Sequence, residues 1–212
     1  MLAVILKTSN LRLKIKIIIF CILLTACNNQ GNQNISAKDL NDSVIVLTNQ
    51  YKDTAQFKNA IGLLNQAIKI DSNYFDTYSK RLFFEESLGQ FNKAVETLTQ
   101  MVRLKSDSAE LYLKLGLFED VTGDTVSAKR SYNRSLPRYT ILLDTMKSNH
   151  PDRHNVLNML AINIIMLGQE QMLHDYLKEN DKTKLDSIFM FDDILGKNKE
   201  ELLAPLRKKY NR

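Results

Sequence analysis

"YSKRLFFEESLGQFNKAVETLTQMVRLKSD", Tyr78 to Asp107, decides the fold. Tyr78, Leu82 and Glu85 follow one another at helical spacing, Gly89 interrupts, and Phe91, Ala94, Leu98 and Met101 resume the spacing beyond it. This reads as two helices joined at a glycine that takes the left-handed conformation closing the first. Ala94 is small where the two helices would cross.

The same plan returns in register on both sides. Ala60, Ala94 and Ala128 stand 34 residues apart, as do Gly89 and Gly123, Phe57 and Phe91, Tyr78 and Tyr112, and Ile70 and Leu104. Leu64, Leu98 and Tyr132 share that interval too. "YLKLGLFEDVTGDTVSAKRSY" (Tyr112 to Tyr132) is the next copy, with Gly116 at a second close-contact position and Gly123 in the turn. "VIVLTNQYKDTAQFKNAIGLLNQAIKID" (Val44 to Asp71) is the preceding one, with Tyr51, Phe57, Ala60 and Ala67 in place and Ala55 where the turn glycine would stand. A degenerate fourth follows in "NVLNMLAINIIMLGQEQMLHDYLKEN" (Asn155 to Asn180), with Gly168 as its turn and Leu173 where the small alanine belongs. The second helix of unit three runs long, past Pro137 toward Lys147, and Pro137 is expected to kink it or end its first half.

A period of 34 built from helix, tight turn and helix resembles the tetratricopeptide repeat. The resemblance covers Leu40 to about Tyr139 in three clear units. It implies an all-α solenoid of helical hairpins, with residues 40–181 forming the repeats and 182–212 a C-terminal helical cap over the last apolar face. Scarce Gly and Pro, seven and three in 212 residues, agree with helices rather than a turn-rich β sandwich.

The amino terminus reads as an address. The net charge of +5 invites a nucleic-acid reading, but Lys7, Arg12, Lys14 and Lys16 all precede Cys27, and no acidic residue does. Removing those four from 29 basic residues leaves 25 against 24 acidic ones, so the body is near neutral and nucleic acid is set aside as a partner. After the basic region come the apolar run "IIIFCILL" (Ile17 to Leu24), then Thr25, Ala26 and Cys27. Residues 1–26 thus have the parts of a cleaved export signal, with an apolar run shorter than the roughly 20 residues a spanning helix needs. "LTAC" (Leu24 to Cys27) resembles the lipobox of bacterial lipoproteins, which implies lipid on the Cys27 sulfur and cleavage before it. An ordinary thiol after a plain signal, or an uncleaved anchor, are the alternatives. Cys21 would leave with the signal, so thiol chemistry drops out of the mature chain. Residues 27–39 then form the lipidated cysteine and a polar tether. The tether has no acidic cluster and Asn28 is not aspartate, so the likeness to sorted lipoproteins implies the periplasmic face of the outer membrane.

Carried over from the repeat family, the concave wall would consist of Asn49 and Lys52 from unit one, Ser79, Phe83 and Glu86 from unit two, and Leu113, Leu117 and Asp120 from unit three, with Asn158 and Ile162 from unit four. Phe83, Leu113 and Leu117 read equally as ordinary core. If exposed, they make an apolar strip suited to a peptide or an amphipathic helix. The carboxylate-clamp version of the family is excluded: Asn49 matches, but Ile45, Lys80 and Glu110 stand where lysine, asparagine and lysine belong. His150 and His154 flank Pro151 in a linker-like stretch without a paired acid, His174 reads as a surface residue, and the adjacent acids of "FDDIL" (Phe191 to Leu195) point in different directions on a helix. No metal, cofactor or catalytic set is expected. The implied function is a non-enzymatic, membrane-tethered scaffold for an unknown protein or peptide. A receptor for a small glycan or peptidoglycan fragment is the alternative, disfavoured because the chain lacks tryptophan and Phe83 is the one aromatic placed in the groove.

Overall fold

The computed structural model describes residues 35–50, 54–179, 194 and 196–211. The chain divides into two compact units, Met1–Ser36 and Ala37–Arg212, and every described helix lies in the second. Cys27 and the signal segment lie outside the described residues.

Nine helices occur among the described residues: α1 (Ala37–Gln50), α2 (Thr54–Ile70), α3 (Phe75–Ser87), α4 (Phe91–Leu104), α5 (Ala109–Val121), α6 (Thr125–Thr145), α7 (Arg153–Met166), α8 (Glu170–Glu179) and α9 (Lys199–Tyr210). From α1 to α8 each helix packs on the next, so the fold is an all-α stack of hairpins, as the period implies. Polar residues ahead of the first helix end at Ser36, because Ala37 is already buried in α1.

Local chemistry sets the turns. Gly89, Gly123 and Gly168 have φ of 68°, 96° and 68°. After each glycine the same pair of bonds closes the preceding helix. Gly89 N–H donates to Glu86 O and Gln90 N–H to Glu85 O, Gly123 to Asp120 and Asp124 to Glu119, Gly168 to Ile165 and Gln169 to Ile164. Unit one differs: Ala55, where the turn glycine would stand, falls inside α2, and residues 51–53 lie outside the described residues. The crossings are as tight as the small residues demand. Ala60, Ala94 and Ala128 are fully buried, and a Cβ on Gly116 would stand 2.5 Å from the Tyr132 ring.

A second period-34 feature joins the helices of a hairpin. Thr97 Oγ1 donates to Glu85 at 2.5 Å, and one repeat later Ser131 Oγ donates to Glu119 at 2.7 Å. Arg81 adds to the first pair, donating from Nε and Nη2 to Thr97 Oγ1 and lying 3.4 Å from Glu85. Burial raises the pKa of both glutamates, against the lowering effect of their hydroxyl donors.

The long helix α6 continues through Pro137 rather than ending there. Proline opens the helical ladder. The buried Asn163 of α7 fills the opening: with its amide oriented by its partners, it donates to Tyr132 O at 3.1 Å and accepts from Ser135 Oγ at 2.8 Å and Leu136 N–H at 3.2 Å. With 21 residues against 14 in α4, α6 stretches the interval between the turn glycines, Gly123 and Gly168, beyond 34.

Candidate helix-binding face

The first helices of the four hairpins are α1, α3, α5 and α7, and their common side is the wall the sequence nominates. Two of them are buried over most of their surface. In α5 nine of thirteen residues are buried, and in α7 nine of fourteen, including Asn158 and Asn163. A helix that is apolar over most of its circumference must be covered over most of it. Packing against α4 and α6 covers α5 on its hairpin side, and α9 returns from the end of the chain to lie on both α5 and α7. Rather than only closing the last hairpin, the C-terminal helix therefore reaches back across the first-helix side of units three and four.

The seat of α9 is built from three contacts. At its start Lys199 Nζ lies 2.6 Å from Asp120 Oδ2, an oxygen that also accepts from Tyr132 O–H at 3.1 Å. The Asp120 side chain is 1% exposed, while that of Lys199 is 35% exposed. Burial, with the Asp120 carboxylate next in effect, pushes the Tyr132 phenol far above its ordinary value, so it stays a donor. In the middle Leu203 is fully buried among the core side chains, with Leu202 and Leu206 packed beside it. At its end Tyr210 stacks on Phe91, which stacks in turn on Phe118, with centroids 5.8 and 4.9 Å apart. Asn92 Nδ2 donates to the Tyr210 hydroxyl at 3.3 Å. The backbone of α9 approaches the Gly89 turn so closely that a Cβ there would meet Lys209 O at 2.7 Å.

The helix is also prepared locally. Asn198 and Glu201 form a reciprocal capping box, with Glu201 N–H donating to Asn198 Oδ1 at 3.1 Å and Asn198 N–H to Glu201 Oε2 at 2.8 Å. Lys199, Leu203 and Tyr210, at intervals of four and seven, fall on one face.

The nominated residues separate accordingly. Asp120 is the ion-pair socket beneath α9. Leu113 is 2% exposed and Leu117 half-buried, so they do not continue Phe83 as an exposed apolar strip; α5 is too thoroughly enclosed for that. Phe83 is 59% exposed, its ring meeting those of Phe57 and Phe84 edge-on at 6.5 and 5.2 Å. Glu86 is half-buried and paired with Lys114 at 2.5 Å, which ties α3 to α5. Ser79 Oγ turns back to Phe75 O at 3.4 Å. Asn158 is buried and Ile162 half-buried against the core. Asn49 lies in α1, and Lys52 lies outside the described residues. The face is thus brought together in two parts, an open one around Phe83 and a covered one around Asp120.

Lys199, Leu203, Tyr210, Phe91 and Tyr132 were not nominated from the sequence. The legible signal was the absence of a polar face in "LYLKLGLF" (Leu111 to Phe118) and "VLNMLAINIIM" (Val156 to Met166). Elsewhere His150 is used locally, its Nδ1 accepting from Asp152 N–H at 3.1 Å, and His154 is exposed. Asp192 and Asp193 lie outside the described residues.

Among solved structures the chain is similar to the MamA protein, at 18% identity over 82% of this chain and 91% of that one, with a TM-score of 0.46. It is also similar to a tetratricopeptide repeat protein from Parabacteroides merdae, at 13% identity over 90% of each chain, with a TM-score of 0.41. No protein-family model and no curated protein matches it.

Proposed function

We propose that this protein is a tetratricopeptide-type lipoprotein of the bacterial cell envelope, held to the membrane by lipid on Cys27, that scaffolds another protein through the first-helix side of its hairpins. The observation that carries the reading is α9. The face accepts an amphipathic helix through a buried carboxylate, a leucine pocket and an aromatic stack, which are the elements of helix-in-groove recognition. On α3 Phe83 offers a further exposed apolar contact.

The anchoring half of the reading rests on "LTAC" and the polar stretch after it. Two or more acyl chains hold a protein stably where one does not. A location at the periplasmic face of the outer membrane follows from the lipoprotein likeness and is part of the proposal. The reading requires no catalysis.

Crosslinking in native membranes, followed by mass spectrometry, tests the scaffold. A protein captured by the wild type and lost in Phe83→Asp, with the fold intact by circular dichroism, is the expected result. Capture unchanged by the substitution, or none, sinks the groove reading. For the anchor, Cys27→Ser should abolish metabolic incorporation of labelled fatty acid; incorporation that persists would refute lipidation at that residue.

A further inference from the structure

We propose that the Asp120 face is a docking site for a partner protein's amphipathic helix that presents arginine to Asp120, a leucine four residues on and an aromatic residue eleven on, and that α9 is its displaceable resident. This deepens the scaffold reading and rests on it.

The resident fits incompletely. Lys199 and Tyr132 both address Asp120 Oδ2, while Oδ1 is buried and accepts no hydrogen bond among the described residues. An ammonium is a point donor, whereas a guanidinium presents parallel N–H groups matched to both oxygens of a carboxylate. The Lys199 side chain is one-third exposed, so the pair is not sealed from solvent on the lysine side. A buried carboxylate without a cation is costly, so an apolar helix cannot replace α9; the incoming segment must bring positive charge.

The resident is also weakly held. Of the twelve residues of α9 Leu203 alone is buried, against nine of thirteen in α5. Pro205 lies inside α9 and cannot donate to the helical ladder. Elements with few buried contacts open at free energies below the global one.

The occupant is a separate protein rather than a second copy. Exchange of α9 between copies recreates the contacts each already has and loses translational freedom. A partner helix with no seat of its own gains them all, with affinity reduced by the fraction of time the face is open.

The test uses the full chain and two labelled synthetic peptides, residues 198–212 of this sequence and the same peptide carrying Lys199→Arg. A full-length Lys199→Glu, Leu203→Asp variant releases α9 in cis. The released variant should bind the arginine peptide about tenfold or more tighter than wild type does, because the face is then open. The arginine peptide should exceed the lysine peptide by about threefold or more through its second bond. Adding Asp120→Asn should remove the difference between peptides. Equal binding of the two peptides, or no binding to a folded released variant, overturns the proposal. Should that variant not fold, hydrogen exchange on the wild type decides: amides of Leu202 to Tyr210 should exchange about tenfold or more faster than those of α5. Equal protection would make α9 an integral part of the core and overturn the proposal. Light scattering should show a monomer, and a dimer dissolved by the peptides would reassign the site to self-exchange and overturn the partner reading. Peptide binding as expected, with no protein crosslinked in membranes, would leave the site standing and remove the scaffold function; the reverse would do the opposite.

Discussion

Gly89 and Gly168 offer a matched pair for measuring how tightly the C-terminal helix is seated. Both close a first helix, both have φ of 68°, and both make the same two capping bonds. They differ in what lies beyond the missing side chain: Lys209 O at 2.7 Å from a Cβ on Gly89, nothing within 4 Å of one on Gly168. Alanine at Gly168 therefore meets only the backbone penalty of the left-handed region, about 1 to 2 kcal/mol. At Gly89 the same penalty applies, and the new methyl collides with the backbone of α9. Relief requires the end of α9 to lift, which weakens the Phe91 to Tyr210 stack, about 0.5 to 1.5 kcal/mol, and the Asn92 to Tyr210 bond, of similar size. Gly89→Ala should thus be destabilised by about 2 to 5 kcal/mol in all, roughly 1 to 3 more than Gly168→Ala. Urea denaturation gives the two totals, and hydrogen exchange locates the difference, which should fall at Lys208 to Asn211. Equal destabilisation with unchanged protection at that end of α9 would refute the account of the seat.

Three further outcomes follow from the packing. Gly116→Ala should destabilise by about 1 to 3 kcal/mol although alanine favours helix, because its Cβ would stand 2.5 Å from the Tyr132 ring; Gly62→Ala, with nothing within 4 Å, should stabilise by about 0.5 to 1 kcal/mol, and thermal denaturation reads both signs. Asn163→Leu removes the bridge across the Pro137 opening and should cost about 1 to 3 kcal/mol for each buried group left unpaired, checked by urea denaturation. Glu85 provides a pH test. Its pKa is raised, chiefly by burial, against Thr97, Arg81 and Lys93 and with Glu96. Its proton is therefore held more tightly folded than unfolded. The resulting stability is fully present below the unfolded value, near 4.5, and is lost as pH rises through the folded one. Glu85→Gln keeps an acceptor for Thr97 and should gain on the wild type as pH rises from about 4 to 7. A constant difference between the two proteins across that range would show that Glu85 does not titrate differently on folding.

The reach of the sequence can be judged element by element. Hairpins in units two to four were legible because the turn glycines and helix-crossing residues are local requirements: a left-handed residue must end each first helix, and Ala94, Ala128 and Gly116 must be small where helices touch. The glutamate to hydroxyl pairs at Glu85 and Glu119 obey the same period and could have been found with it. Of the two outcomes expected at Pro137, a kink or an end, the end does not occur, since Asn163 from another helix bridges the opening. The candidate face was half legible. Asp120 and Phe83 were nominated by position, yet which was open and which occupied depended on a helix almost eighty residues further along the chain than Asp120.

What the sequence by itself determined is the repeat, because periodicity, turn chemistry and small crossing residues act within one hairpin and its neighbour. What only the tertiary structure decided is the place of α9. Its anchors, Asp120 with Lys199 and Phe91 with Tyr210, pair residues from distant positions whose meeting no local rule specifies. A helix with one apolar face can cover any complementary surface. The surface it found is the largely apolar one that α5 and α7 present on that side.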